Sequence, residues 1–216
     1  MRCVVFDLDG TLADTSADLL AAANACFPRR LLGPEDAATA FHGGRAMLRL
    51  GFTRLGQDWT EADVDAAYPR LLEAYGAAIA VHTRLYPGAM EAVEALKRAG
   101  FAVSICTNKP EGLAEGLLQA LGVRGEFGAL IGADTLPVRK PDAAPYRAAV
   151  ERAGGVVGRS MLVGDTETDA KTGVAAGVPV ALVTFGPEGR GVERFAPAAL
   201  LDRFEDLPGL AGQLLA

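Results

Sequence analysis

Two kinds of hydrophobic pattern run along this chain, and they are not mixed at random. Cys3 to Phe6 is an unbroken apolar run that stops abruptly at Asp7-Leu8-Asp9-Gly10, which predicts a buried strand that delivers carboxylates at its end. From Ser16 to about Phe27, from about Pro34 to Leu50 and from Glu61 to Ile79, apolar residues recur at helical intervals with no strand run between them. This stretch predicts a helical block. Beyond Pro87 the two patterns alternate, predicting helix Gly88 to Arg98, strand Ala102 to Cys106, helix Glu111 to Leu121, strand Ala129 to Ile131, helix Pro141 to Arg152, strand Ser160 to Val163, helix Thr166 to Ala176 and strand Pro179 to Val183. Gly100, Gly122, Gly154 and Gly177 each stand where a helix must stop before the next strand. Gly186 to Ala216, richer in glycine and proline, reads as a loop followed by short helices.

Alternating strands and helices imply an α/β fold, a doubly wound parallel sheet with right-handed crossovers. The simplest organisation is a core of residues 1–14 and 85–216 with a helical insert, residues 15–84, after the first strand. The length of 216 residues suits one large domain or a core with a modest insert. With 50% hydrophobic and 22% charged residues the chain can bury a core.

Net charge changes the picture of partners. With 21 basic against 27 acidic residues the formal charge is -6, which argues against a nucleic-acid-tracking surface. An anion bound by such a protein needs positive charge concentrated locally. Cys3, Cys26 and Cys106 are an odd number without CxxC spacing, two of them inside apolar runs, so reduced buried thiols are expected. No apolar stretch approaches the ~18 residues of a membrane span. The expected setting is the cytoplasm, as a monomer or homodimer without membrane or nucleic-acid partners.

Candidate chemistry sits at the carboxyl ends of strands, where open α/β sheets bind ligands. The first predicted strand ends in Asp7-Leu8-Asp9-Gly10-Thr11, the second in Thr107-Asn108-Lys109 and the fourth in Gly164-Asp165-Thr166-Glu167-Thr168-Asp169, while Lys140 precedes the helix that leads into the fourth. Two aspartates spaced by two present both carboxylates to one cleft. Several carboxylates at close range cannot all stay ionised unless a cation offsets them. A hard cation such as Mg2+ suits carboxylate and carbonyl oxygen, and no His/Cys cluster calls for zinc. Asp7 and Asp165 are its natural side-chain ligands. Mg2+ and Lys140 together favour a phosphoryl group, whose oxygens Thr107, Asn108 and neighbouring N–H groups can hold.

The strings DLDGTLADT at Asp7 to Thr15, CTNKP at Cys106 to Pro110, RKP at Arg139 to Pro141 and GDTETD at Gly164 to Asp169 resemble the four ordered motifs of the haloacid dehalogenase superfamily. LYPGAMEAVEALKRAGF, TNKPEGLAEGLLQALGV, GADTLPVRKPD and DTETDAKTGVAAGVP are similar to its phosphoglycolate phosphatase group, in which a helical insert forms a cap. The resemblance implies that Asp7 is a nucleophile forming an aspartyl-phosphate and that Asp9 protonates the leaving oxygen and then activates water. It implies Thr107 and Lys140 as phosphate binders. Asp7, Asp9 through its backbone carbonyl, and Asp165 are the implied Mg2+ ligands, with Asp169 adjoining the metal or orienting Lys140. Aspartate at position 9 speaks against a dehalogenase, which lacks it. The chain departs from the pattern after Lys140, where one proline of the usual KPxPxP is absent, and at Pro187, where an aromatic is common.

The resemblance thus implies a Mg2+-dependent phosphomonoester hydrolase acting on a small phosphorylated metabolite, with 2-phosphoglycolate leading. Sugar phosphates, nucleotides or a phosphoglucomutase-like transfer are the enzymatic alternatives. A receiver-type phosphoacceptor gathers similar groups but places its phosphorylated Asp after the third strand, where Asp134 matches poorly; repeated turnover separates the two classes. Asp14 and Thr15 are expected to cap the first insert helix. In the insert, His42-Gly43-Gly44-Arg45 could bring Arg45 to a second substrate anion. His82 reads as a hinge or surface residue, and Trp59 as insert core.

Overall fold

A computed structural model of the chain describes all 216 residues and divides into two compact units, Met1–Ala13 with Leu85–Ala216, and Asp14–Arg84. In the first unit a six-stranded sheet is built from β1 (Cys3–Phe6), β2 (Ala102–Cys106), β3 (Ala129–Ile131), β4 (Ser160–Gly164), β5 (Val180–Val183) and β6 (Ala199–Leu201). Every pairing is parallel, in the order β3-β2-β1-β4-β5-β6. The α/β class is therefore observed. Helices Ala89–Arg98, Glu111–Ala120, Ala143–Arg152 and Glu167–Ala176 alternate with the strands, and Gly100, Gly122, Gly154 and Gly177 all take positive φ at their ends, as the chain reversals require.

β1 lies between β2 and β4, with Cys3 opposite Ala102 and Ser160, and Phe6 opposite Ile105 and Val163. Cys3, Val4, Val5 and Phe6 are wholly buried, which explains why this run is continuously apolar instead of alternating. At ~1.5–3 kcal/mol for each large apolar side chain removed from water, these residues anchor the sheet centre. The strand order reverses beside β1, so the ends of β1 and β4 flank the switch point where such sheets bind ligands.

Two sequence expectations need correction. The closing segment contributes a sixth strand, β6, as well as 3-10 turns and the helix Leu207–Leu214; Ala199–Leu201 runs on from Ala196-Pro197-Ala198 with no boundary in the hydrophobic pattern. In the second unit, the helix expected from Pro34 to Leu50 is a 3-10 turn Pro34–Asp36 and helices Ala37–Phe41 and Gly44–Leu55. The break is at Gly43, whose φ of 94 and ψ of 165 cannot continue a helix.

The second unit otherwise consists of helices Ser16–Asn24 and Glu61–Ala77 with those two. Leu20, Met47, Leu48, Val64, Leu71 and Tyr75 are buried in it. Trp59 is half-buried and stacks on Phe52. Thr15 stands at the N-cap of the first helix without a side-chain cap bond, and Asp14 before it accepts from Ser16 N at 3.1 Å and Ser16 Oγ at 2.6 Å. The buried Asp18 carboxylate receives N–H bonds from His82 and Thr83, so the backbone at His82 is tied to the first helix.

Candidate active site

All the chemistry-bearing strand ends converge in the first unit. β1 is followed by Asp7, whose N–H donates to Val163 O at 2.9 Å and whose Oδ1 accepts from Leu8 N at 2.7 Å. The carboxylate is thereby fixed at the mouth of the switch point. β4 ends at Gly164, followed by Asp165 and Thr166, the latter opening helix Glu167–Ala176 with a reciprocal capping box to Asp169. A Cβ at Gly164 would lie 2.3 Å from Asp169 Cγ, so only glycine lets the Asp169 carboxylate lie across the strand end.

One oxygen each of Asp7, Asp165 and Asp169 fall within 4.8 Å of one another, and all three residues are buried. Lys140 reaches into this group, with Nζ 2.7 Å from Asp169 Oδ1 and 3.1 Å from Asp7 Oδ2. Both Asp169 oxygens are engaged, Oδ2 by Thr166 N at 3.1 Å and Thr166 Oγ1 at 2.8 Å, so Asp169 positions Lys140. Asp165 differs: its Oδ1 accepts from Thr11 Oγ1 at 2.8 Å, but its buried Oδ2 has no partner.

The electrostatics follow from three buried carboxylates facing one ammonium. Burial pushes Asp7 up to about 6 from 3.8, with Asp169 and Asp9 adding to the rise and Lys140 opposing it. Burial likewise holds Asp165 well above its ordinary value, reinforced by Asp169 and Asp7. For Lys140 burial acts to lower the ammonium, but Asp169 and Asp7 outweigh it and keep it above its usual range. A buried carboxylate oxygen without a partner is costly, and an all-oxygen donor set with excess negative charge fits a hard divalent cation such as Mg2+. Asp165 Oδ2 is open to hold it, and Asp7 and Asp169 each offer an oxygen within 4.8 Å.

Thr107, at the end of β2, is buried and accepts from Lys109 N at 3.2 Å, which leaves its hydroxyl proton to donate elsewhere. Asn108 donates through Nδ2 to Lys140 O at 3.0 Å; it supports the lysine backbone. Asp9 is partly exposed at the rim and pairs with Lys109, Nζ to Oδ1 2.6 Å. Arg45 lies in the second unit, ion-paired with Asp65 and set over the Tyr68 ring. Thr11 and Lys109 carry contacts that single-residue reasoning did not assign. The available signal was only their place within DLDGT and TNKP.

Cys3 and Cys106 are free and buried, with burial pushing them up to about 11 and about 12. Neither is a nucleophile at neutral pH. No helix is long and apolar enough to cross a membrane.

The chain is similar to known proteins along most of its length. A phosphoglycolate phosphatase of Mesorhizobium japonicum is 38% identical over 208 residues, 94% of this chain and 92% of the relative. One of Agrobacterium fabrum is 38% identical over 217 residues, 98% and 93% of the two chains. The crystal structure of a predicted phosphoglycolate phosphatase from Haemophilus somnus superposes with a TM-score of 0.83 at 25% identity, covering 97% of each chain. The model of haloacid dehalogenase-like hydrolases matches residues 1–177, a span that takes in both aspartates of the β1 loop, Thr107, Lys140 and the Asp165–Asp169 turn. The chain belongs to the haloacid dehalogenase-like hydrolase family.

Proposed function

We propose that this chain is a phosphomonoester hydrolase that works through an aspartyl-phosphate on Asp7, with 2-phosphoglycolate as its substrate and residues 15–84 as its cap. The observation that carries the reading is the buried group of Asp7, Asp165, Asp169 and Lys140 in which Asp165 Oδ2 lacks a partner. Further positive charge relieves the repulsion in such a group when its carboxylates are ionised, and it then suits a phosphoryl dianion. Mg2+, held by Asp7, Asp165 and the Asp9 carbonyl, would offset the negative charge between the attacking carboxylate and the phosphoryl oxygens.

Each protein group has a defined task. Lys140 and the Thr107 hydroxyl bind phosphoryl oxygens, and Asp169 and Asn108 keep Lys140 in place. The Asp7 carboxylate attacks phosphorus, the bond from phosphorus to the ester oxygen breaks, and Asp9, which first exchanges its ion pair with Lys109 for a proton from solvent, gives that oxygen the proton. Water then attacks the aspartyl-phosphate while Asp9 takes its proton, the bond between Asp7 and phosphorus breaks, and inorganic phosphate departs. The substrate assignment draws on the names of the relatives. Phosphate release across a panel of 2-phosphoglycolate, sugar phosphates and nucleotides tests it; a kcat/KM for 2-phosphoglycolate below that of the sugar phosphates would overturn it.

Asp9→Asn separates that residue's two proton transfers. p-Nitrophenolate leaves without needing a proton, whereas hydrolysis of the phosphoenzyme needs a base whichever alcohol left. With p-nitrophenyl phosphate this variant should release nearly one equivalent of nitrophenol quickly, then turn over slowly, and acid-quenched protein should carry phosphate on Asp7. No burst, no trapped phosphate and equal losses on alkyl and aryl esters would contradict the acid/base role.

The cation and the carboxylates can be tested without turnover. At a hundredfold excess over its Kd, Mg2+ should stabilise the fold by ~2.7 kcal/mol and raise Tm by roughly 5–10 °C, and Asp165→Asn should abolish the shift. In EDTA, Asp7 keeps its proton in the folded chain up to about 6 but loses it near 3.8 when unfolded. The folded state therefore binds more protons in that window, and the stability of wild type relative to Asp7→Asn should fall as pH rises through it. Urea midpoints of the two proteins at intervals of pH measure this; a difference that rises with pH would contradict the buried, crowded carboxylate.

A further inference from the structure

We propose that Lys109 selects the substrate's alcohol portion, by transferring its ammonium from the Asp9 carboxylate to a carboxylate carried by the leaving group. The proposal rests on the phosphomonoesterase reading above and names the residue that would make it specific for phosphoglycolate.

The observation is an ion pair between residues 100 positions apart, with Lys109 Nζ 2.6 Å from Asp9 Oδ1 and side-chain exposures of 4% and 19%. A lysine this buried is held in place by its surroundings, and Lys109 is anchored at both ends. Its N–H donates to Thr107 Oγ1 at 3.2 Å, and Pro110 follows at the N-cap of helix Glu111–Ala120. The same short turn therefore presents a phosphoryl ligand, Thr107, and a cation beside the residue that serves the leaving oxygen.

Spacing then identifies the anion. The ester oxygen must come within hydrogen-bond reach of Asp9 for proton transfer, and Lys109 Nζ stands one hydrogen bond from that carboxylate. In a phosphoester whose alcohol bears a carboxylate on the adjoining carbon, standard bond lengths place a carboxylate oxygen roughly 3 Å from the ester oxygen. An ester oxygen at Asp9 thus brings its carboxylate to the ammonium. Lysine's three rotatable donors permit the exchange without moving the backbone, and the incoming carboxylate replaces one charge partner with another, so the buried ammonium is not left alone. A neutral alcohol offers no such replacement and leaves Asp9 bound to Lys109. Lys140 lies against Asp7 and Asp169, whereas Lys109 is the cation that stands beside Asp9, where the ester oxygen must come.

The test compares 2-phosphoglycolate with ethyl phosphate, which has the same two-carbon alcohol without the carboxylate, in wild type, Lys109→Met and Lys109→Gln. Circular dichroism checks the fold, and the glutamine variant serves if the methionine variant does not fold. Wild type should prefer 2-phosphoglycolate, and in the variants the ratio of kcat/KM on 2-phosphoglycolate to that on ethyl phosphate should fall by ~20-fold or more, because only the first ester loses a charge partner of its own. Inhibition by glycolate should weaken in parallel. Equal losses on both esters would overturn the proposal and reduce Lys109 to holding Asp9. Selective loss in Arg45→Ala but not at Lys109 would move the carboxylate contact to the second unit. Wild type that hydrolyses both esters equally would remove the phosphoglycolate assignment and this inference with it, whereas wild type that hydrolyses neither would remove the phosphomonoesterase reading itself.

Discussion

Replacing Asp7 with asparagine should abolish phosphate release, by at least ~10⁴-fold, while the folded protein persists. The amide is nearly isosteric with the carboxylate and can still accept from Leu8 N, the 2.7 Å bond that fixes the side chain, but it is a poor nucleophile and cannot form the aspartyl-phosphate. Asp7 is also one of three buried carboxylates around a single ammonium. Removing its charge relieves repulsion with Asp169 and Asp9, so in EDTA near neutral pH the variant should be at least as stable as wild type. Activity and stability therefore move in opposite directions, a pattern that a merely structural aspartate would not produce. Phosphate release with 2-phosphoglycolate and urea midpoints check the two halves. Activity within tenfold of wild type would reject Asp7 as the nucleophile, and excess EDTA that left wild type fully active would reject the metal.

Lys140→Ala should lower kcat/KM by about two or more powers of ten, because a buried charge-assisted contact to the transferring phosphoryl group is lost. It should also destabilise the chain, since Asp7 and Asp169 would face each other without the ammonium that lies 3.1 and 2.7 Å from them. Breaking a buried pair by removing one partner typically costs about 3–5 kcal/mol, less where protonation relieves the charge. Asp169→Asn is the informative companion. It leaves the ammonium but loosens its grip and the capping box at Thr166, so it should lose less activity than Lys140→Ala. A loss under threefold in Lys140→Ala would place the lysine outside the reaction.

These expectations rest partly on what was legible along the chain. β2 and β3 were readable to the residue, as Ala102–Cys106 and Ala129–Ile131, because strands buried on both faces are apolar almost throughout, with Ser104 the one polar residue of the two. For the same local reason Asp7, Asp9, Thr107 and the Asp165–Asp169 turn could be assigned to strand ends before any coordinates. β6 could not be read, because Ala199–Leu201 is a strand only through pairing with β5. The break in the insert helix was hidden too, since Gly43 looks tolerable within a helical period until its φ is known.

The site divides along the same line. Which residues could carry charge to the sheet's end was determined by sequence, since strand periodicity and the residues that follow each strand are local properties. Which carboxylate each cation answers to was decided only by the tertiary structure. Thr11 meets Asp165 across 154 positions, Lys109 meets Asp9 across 100 and Lys140 meets Asp169 across 29. Such pairings arise because parallel strands with crossovers bring distant loops to one end of the sheet, and an ion pair or an orphaned oxygen depends on distances of a few ångströms that no pattern along the chain encodes.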